Sequence, residues 1–230
     1  MKITTDATIV FKILNVPINA TIVNTWVVMA VLTGASVLIT WRLKPEAPAS
    51  RWRTALEVIV TAIEGQIAEI TRRPSSQFIP FVGTLFLFVA VSNLLLVVPG
   101  FEPPTASLST TTALALSVLI AVPVFGIASR GIGGYLRTYL EPTALMLPFN
   151  IISEFTRGLA LAIRLYGNIM SGAVIAAILL GVAPFFFPVV MDILGLLTGL
   201  IQAYIFAVLA MVYIAAATGP AAEPTPDKEN

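Results

Sequence analysis

The sequence predicts an all-α, multi-pass membrane protein: about five transmembrane helices, the last two long and strongly tilted, plus one amphipathic helix at the membrane surface. Three observations carry that class. Of 230 residues, 57% are hydrophobic and only 11% charged, whereas a soluble domain has about a quarter charged residues. The mean hydropathy is +0.94. The apolar residues are gathered into runs of about twenty or more, the length that crosses a bilayer. The net charge of +1 says nothing about partners; the placement of the charges does. The chain holds no Cys and no His. Disulfides, Cys/His metal sites, Ser-His-Asp triads and histidine proton relays are therefore excluded.

Residues 1–20 are mixed and carry Pro17, which predicts a short arm outside the membrane. They lack an apolar core followed by a small-residue cleavage site, so no cleaved signal peptide is expected. The first span runs from Thr21 to Trp41, with Trp26 and Trp41 near its ends, where amphipathic rings prefer the interface. A polar link follows with Arg42, Lys44, Arg51 and Arg53. In residues 53–71, Leu56, Ile59, Val60, Ile63, Ile67 and Ile70 fall on one helical face that Glu57, Glu64 and Glu69 avoid. That pattern predicts an amphipathic helix, lying on the membrane or packed against the bundle.

Arg72-Arg73-Pro74 ends that helix, and a second span follows over about 78–98. The next loop, PGFEPPTASLST, has no Lys or Arg. A third span covers about 110–128, and SRGIGGYLRTYLEPT then reads as a glycine-rich loop with Arg130 and Arg137. The fourth run extends from Leu147 to Leu180. After a turn at GVAPFFFP, the fifth extends over about 186–217. The tail, 218–230, is polar and Pro-rich, a composition that predicts disorder. Lys and Arg fall in the 42–53 and 72–73 links, the 130–137 loop and the tail; the loops at 99–109 and 181–185 have none. The positive-inside rule then places the N-terminal arm outside and the tail in the cytoplasm. Residues 21–217 form the membrane domain between them.

The last two spans, within residues 145–217, are too long for an upright crossing. About 34 residues at ~1.5 Å each give roughly 50 Å of helix against a hydrocarbon core of roughly 30 Å. Either both helices lie far from the membrane normal or each is broken. Pro148 and Pro188 stand near their starts, where they force no break. Strong tilt is the expectation, and two tilted helices make a sloping wall that suits a curved partner.

Inside the fourth run, Asn150, Glu154, Arg157, Arg164, Asn168 and Ser171 step by four, three, seven, four and three, close to one helical face. Glu154 and Arg157 can pair locally. Arg164 has no acid three or four residues away; Ala160, Leu161, Gly167 and Asn168 stand there. Its counter-charge must come from another helix or another chain. Charges at membrane depth are costly, and their default reading is functional. An arginine stays protonated, so it holds a field but does not relay protons. In the last run, Asp192, Gly195, Gly199, Gln202 and Phe206 step by three, four, three and four. The glycines allow a neighbouring helix to come close, and Gln202 has an amide to offer a neighbour, Arg164 among them. The competing reading is a small-residue packing seam with one hydrogen-bonded Gln. Asp192 and Glu154 fall on opposite sides of Arg164 in depth, which suggests two half-pathways that do not meet. Asn93, Ser107, Ser109 and Thr110–Thr112 add polar groups on the outer side; each alone is more often a cap or a back-bonded hydroxyl.

RLYGN at 164–168, SEF ten residues upstream, the GIGGY stretch at 131–135 and LIQAYIFAVLAMVYIA at 200–215 together resemble subunit a of the F-type ATP synthases. The resemblance covers about residues 50–217. It implies a non-catalytic stator channel in a bacterial inner membrane, beside a ring of c subunits, each with an ion-binding carboxylate. The partners it implies are that ring, b-type stator subunits and the remainder of the F1Fo complex. No cofactor, metal or nucleic acid is implied. Arg164 would face the ring carboxylate with Gln202 close by, Glu154 would line the cytoplasmic half-channel, and Asn168 would belong to the outer region. The usual outer acids are missing: Ala173, Gly195 and Leu96 stand where many family members carry titratable groups, and Ser107 and Ser109 replace an Asp/Asn pair. Asp192 is the one intramembrane replacement on that side. The stretch from Ile169 to Pro188 is closer to a divergent, alternative bacterial branch, some members of which are thought to move Na⁺. The rival class is a small secondary transporter binding an anion at Arg164. Such transporters often show repeats or matched broken helices, and the sequence has neither. It also lacks a Walker A loop, so ATP chemistry lies elsewhere.

Overall fold

The computed structural model describes residues 9–13, 16–41, 51–71, 77–98, 100–140, 143–182 and 187–219. The start of the arm, Arg42 and Lys44, Arg72-Arg73-Pro74, the middle of the GVAPFFFP turn and the tail beyond Gly219 lie outside those residues. Six α-helices form in the expected places: α1 Ala20–Trp41, α2 Arg51–Thr71, α3 Ile79–Leu94, α4 Leu108–Leu140, α5 Leu147–Val182 and α6 Phe187–Thr218. All but α2 belong to segments long and apolar enough to cross a membrane. The protein is a multi-pass helical membrane protein.

The sequence places the arm outside the membrane, and the structure adds a short antiparallel strand pair there. Strand β1 (Ile9–Ile13) pairs with β2 (Val16–Asn19), with Ile13 opposite Val16, and β2 runs straight into α1. Its Ile and Val residues suit an extended backbone. Helix α3 has a proline in its first turn, where the missing N–H costs nothing. It tightens into a 3₁₀ turn at Leu95–Val97. Helix α6 ends at Gly219, whose φ of +72° lets its N–H reach the Ala215 carbonyl at 3.1 Å.

The stretch after the third span is not a loop. Helix α4 continues to Leu140 as two segments joined at Gly131, which has φ 74° and ψ 165°. That left-handed backbone is open to glycine and strained for other residues. The break turns the second segment back on the first: the Tyr135 ring lies where a side chain on Gly126 would stand, 2.6 Å from the position of a Cβ there. Counting glycines alone suggested a loop, whereas one glycine makes the break and another makes room for the ring.

Leu85 and Val89 of α3, Val118 of α4, Leu161 and Leu165 of α5 and Phe206 of α6 form the central core. A second cluster joins Phe78, Val82, Val122, Met211 and Ile214, and Ile63 and Ile70 of α2 pack against it. Of its two predicted placements, the amphipathic helix therefore takes the one against the bundle. Tyr204 also donates its hydroxyl to Gln66 Oε1 at 2.7 Å.

Helices α5 and α6 are 36 and 32 residues long, about 54 and 48 Å at the usual rise. Each is one continuous helix, so the broken alternative falls away and strong tilt accommodates the excess length. Helix α5 is also the least covered: 6% of its apolar span is buried within the chain, against 44% for those of α3 and α6.

Candidate functional site

Helices α5 and α6 run antiparallel, and two contacts fix their register. Asn168 donates its side-chain N–H to the Thr198 carbonyl at 3.4 Å. The Arg157 guanidinium lies over the Tyr213 ring, 5.6 Å from its centroid. Arg164 stands between these anchors. One turn back along α5 from Asn168 and one turn on along α6 from Thr198 bring Arg164 level with Gln202. Arg164 is exposed and has no hydrogen bond or ion pair with any described residue. Gln202 is buried at 7% exposure, and its Nε2 has no hydrogen-bond partner among the described residues. The two groups are level without being bonded to each other.

A wide cavity of about 380 Å³, lined by the C-terminal half of α5 and the N-terminal half of α6, gathers three of the predicted residues, Asn93, Asn168 and Asp192, together with Glu102, Ser171 and Thr198. Asn93, at 2% exposure, is the post between its walls. It donates to the Gly199 carbonyl at 2.8 Å and accepts from Thr105 Oγ1 at 3.1 Å. A Cβ on Gly199 would stand 3.0 Å from three Asn93 atoms, so the close approach expected of the glycine seam is made by α3. A Cβ on Gly195 would meet Leu96 at an ordinary 3.6 Å. Asp192 and Glu102 are both exposed, and their carboxylates have no partner among the described residues. The carbonyl of Glu102 accepts from Asn24 at 2.8 Å, which ties its loop to the first turns of α1.

A narrow cavity of about 220 Å³ lies at the other end of the helix pair, lined by Asn150, Ser153, Glu154, Arg157, Tyr213, Tyr135 and Tyr139 among others. A small void of about 20 Å³, reaching Leu161, continues from Glu154 and Arg157. Glu154 and Arg157 form no direct ion pair: Glu154 Oε2 accepts the Tyr139 hydroxyl while Arg157 stacks on Tyr213. Glu154 Oε1 is buried without a partner among the described residues. Asn150 donates to the Tyr139 carbonyl at 2.9 Å, holding the second segment of α4 against α5. Both cavities have room for several waters.

Between the cavities the core is dry. Leu161, Leu165 and Phe206 are at 1% exposure or less. Glu154 and Asn168 are fourteen residues apart on one helix, about 21 Å. The polar stripe of α5 thus runs from one cavity to the other, with Arg164 beside the seal. The residues missed by pattern are Glu102, Tyr135 and Tyr139. Glu102 sits in a loop conspicuous for its lack of cations, and the tyrosines sit in a segment taken for a loop. The one available signal was their spacing of four, which fits a helix.

Comparison with known proteins decides the kinship. A family model described as the ATP synthase A chain matches residues 22–215. The chain belongs to this family. It is 55% identical over 231 residues to ATP synthase subunit a of Albidiferax ferrireducens, covering 100% of both chains. It is 56% identical over 218 residues to ATP synthase subunit a 1 of Chlorobaculum parvum, covering 95% of this chain and 96% of that one. ATP synthase subunit a 2 of Acaryochloris marina is 56% identical over 218 residues, with 95% and 93% covered. Membership in the ATP synthase A chain family rests on nearly the whole length, including both cavities and the arginine between them.

Proposed function

We propose that the chain is the non-catalytic, ion-translocating stator subunit in the membrane sector of a rotary ATP synthase. Its wide and narrow cavities are the inner ends of two offset half-channels, one open to the outside and one to the cytoplasm. The observation that carries this reading is the pair of polar cavities on either side of a dry seal, with an exposed, unpaired Arg164 at the seal's level. H⁺ or Na⁺ enters past Asp192 and Asn168, reaches a carboxylate on a c-subunit ring, rides round, and leaves past Glu154. Opposite that carboxylate, Arg164 favours its charged form; an opposite charge within ~4–6 Å moves a carboxyl pKa down by ~1–3 units. The same charge repels cations that would cross directly between the half-channels. The orphaned Gln202 amide lies level with Arg164 and gives the arriving carboxylate a second donor.

The poorly covered, tilted α5 supplies a sloping wall for the curved ring, while b-type stator subunits and the rest of the complex hold the chain still. The charge asymmetry of the links puts the arm and the wide cavity outside a bacterial inner membrane and the tail inside. Arg164→Ala tests the assignment in the whole complex. It is expected to assemble and to abolish ion-driven ATP synthesis; normal synthesis by that variant would sink the proposal.

A further inference from the structure

The mechanism above asks only that Glu154 line the cytoplasmic path, yet the structure invests more in this carboxyl than lining requires. Two phenols are brought to it by a purpose-built bend. Tyr139 has one hydroxyl hydrogen and gives it to Glu154 Oε2. The 2.7 Å contact between the Tyr135 and Tyr139 hydroxyls must therefore have Tyr135 as donor. The two rings meet edge to face at 5.1 Å, and Tyr135 is buried at 8% exposure against Gly126. Asn150 fixes the Tyr139 backbone to α5. All of this hangs on the left-handed turn at Gly131. The result is a one-way chain of donors ending on one oxygen of Glu154, while the other oxygen, Oε1, is buried and unpartnered.

We propose that Tyr139, backed by Tyr135, is the positioning residue of the cytoplasmic half-channel: it pins Oε2 of Glu154 so that Oε1 alone exchanges the ion. A carboxylate with two free oxygens swings and can grip a cation with both. One pinned by a donated O–H presents a single oxygen at a fixed place, suited to taking and releasing one ion at a time. The groups facing Glu154 from the packed elements are Tyr135 and Tyr139 of α4, Arg157 of its own helix and Tyr213 of α6. Arg157 is already engaged by Tyr213, which leaves Tyr139 as the group in direct contact.

This inference rests on the half-channel reading, and the test separates the two. Inverted membrane vesicles carrying the whole complex are energised with ATP, and uptake is followed across pH, H⁺ by a fluorescent dye and Na⁺ by isotope. Tyr139→Phe keeps the ring and its packing and removes only the hydroxyl. It is expected to assemble normally, to slow uptake about tenfold, and to move the pH midpoint of uptake by about one unit. Tyr135→Phe, one bond further away, moves it less in the same direction. A Tyr139→Phe complex with the wild-type midpoint, slowed or not, overturns the positioning role, because lost packing alone lowers amplitude without shifting a titration. The half-channel reading stands or falls separately, on whether Arg164→Ala in the same vesicles stops uptake.

Discussion

The Glu102 and Asp192 carboxylates of the wide cavity stand exposed with no partner among the described residues, one on a loop and one on α6, whereas Glu154 of the narrow cavity is half-buried with one oxygen fixed by Tyr139. The rigid part of the wide cavity is a neutral side chain, Asn93, wedged against Gly199. On the narrow side the rigid part is the carboxyl itself. Loose acids raise the local concentration of cations over a distance without binding any of them tightly. A pinned carboxyl deals with one ion at short range. On the proposed half-channel reading, that contrast makes a path that collects broadly outside and meters singly inside, so the outer acids expected from the family resemblance matter less.

The largest effect expected from breaking the contrast is at Gly199. A valine there would drive its side chain into Asn93 and separate α3 from α6, with the Asn93 hydrogen bond lost as well. Overpacking costs ~1–3 kcal/mol and an unmade buried hydrogen bond a comparable amount. Gly199→Val should therefore lower the temperature at which the heated complex loses ion uptake, and should lower uptake itself. Gly195→Ala adds a carbon that meets Leu96 at an ordinary 3.6 Å and should be nearly silent. Equal tolerance at the two positions would mean that Asn93 is not a wedge.

A smaller effect is expected from the loose acids. Glu102→Gln combined with Asp192→Asn should slow ion-driven ATP synthesis several-fold at low ionic strength and much less at high salt, because the Debye length falls from ~10 Å at 0.1 M to ~3 Å at 1 M. The Tyr139→Phe defect, being a contact effect, should hardly change with salt. If the double acid variant loses the same fraction at both salt concentrations, those acids bind the ion locally and the contrast between the cavities disappears.

The sequence made the spans legible because lipid demands long apolar runs. It made the α5 stripe legible because six polar residues at helical spacing have no other business there. Three things were hidden, each for a physical reason. Gly131 reads as a loop former, since nothing local says whether a glycine ends a helix or bends it. Tyr135 and Tyr139 reach Glu154 only because of that bend, so their role is tertiary. Glu102 comes near Asp192 through the fold of a proline-rich loop, in which the 3₁₀ turn at Pro104–Ala106 packs beneath α5. The arm's strand pair was hidden by its brevity, since strands of five and four residues carry little pattern.

The α2 seam marks the small end of the scale and gives both cavities a common control. Tyr204 and Gln66 share an exposed hydrogen bond beside an apolar cavity of about 190 Å³ between α2, α3 and α6. Neither residue lines either polar cavity. Tyr204→Phe keeps the ring against the seam and removes one neutral bond, worth about 0.5–1.5 kcal/mol. Ile63 and Ile70 still hold α2 in place through their contacts with the second core cluster. The variant should show a slightly lower thermal midpoint, with uptake, pH midpoint and salt dependence all at wild-type values. If instead its pH midpoint moves as that of Tyr139→Phe does, any lost tyrosine hydroxyl near the bundle has this effect, and the special hold on Glu154 loses its support.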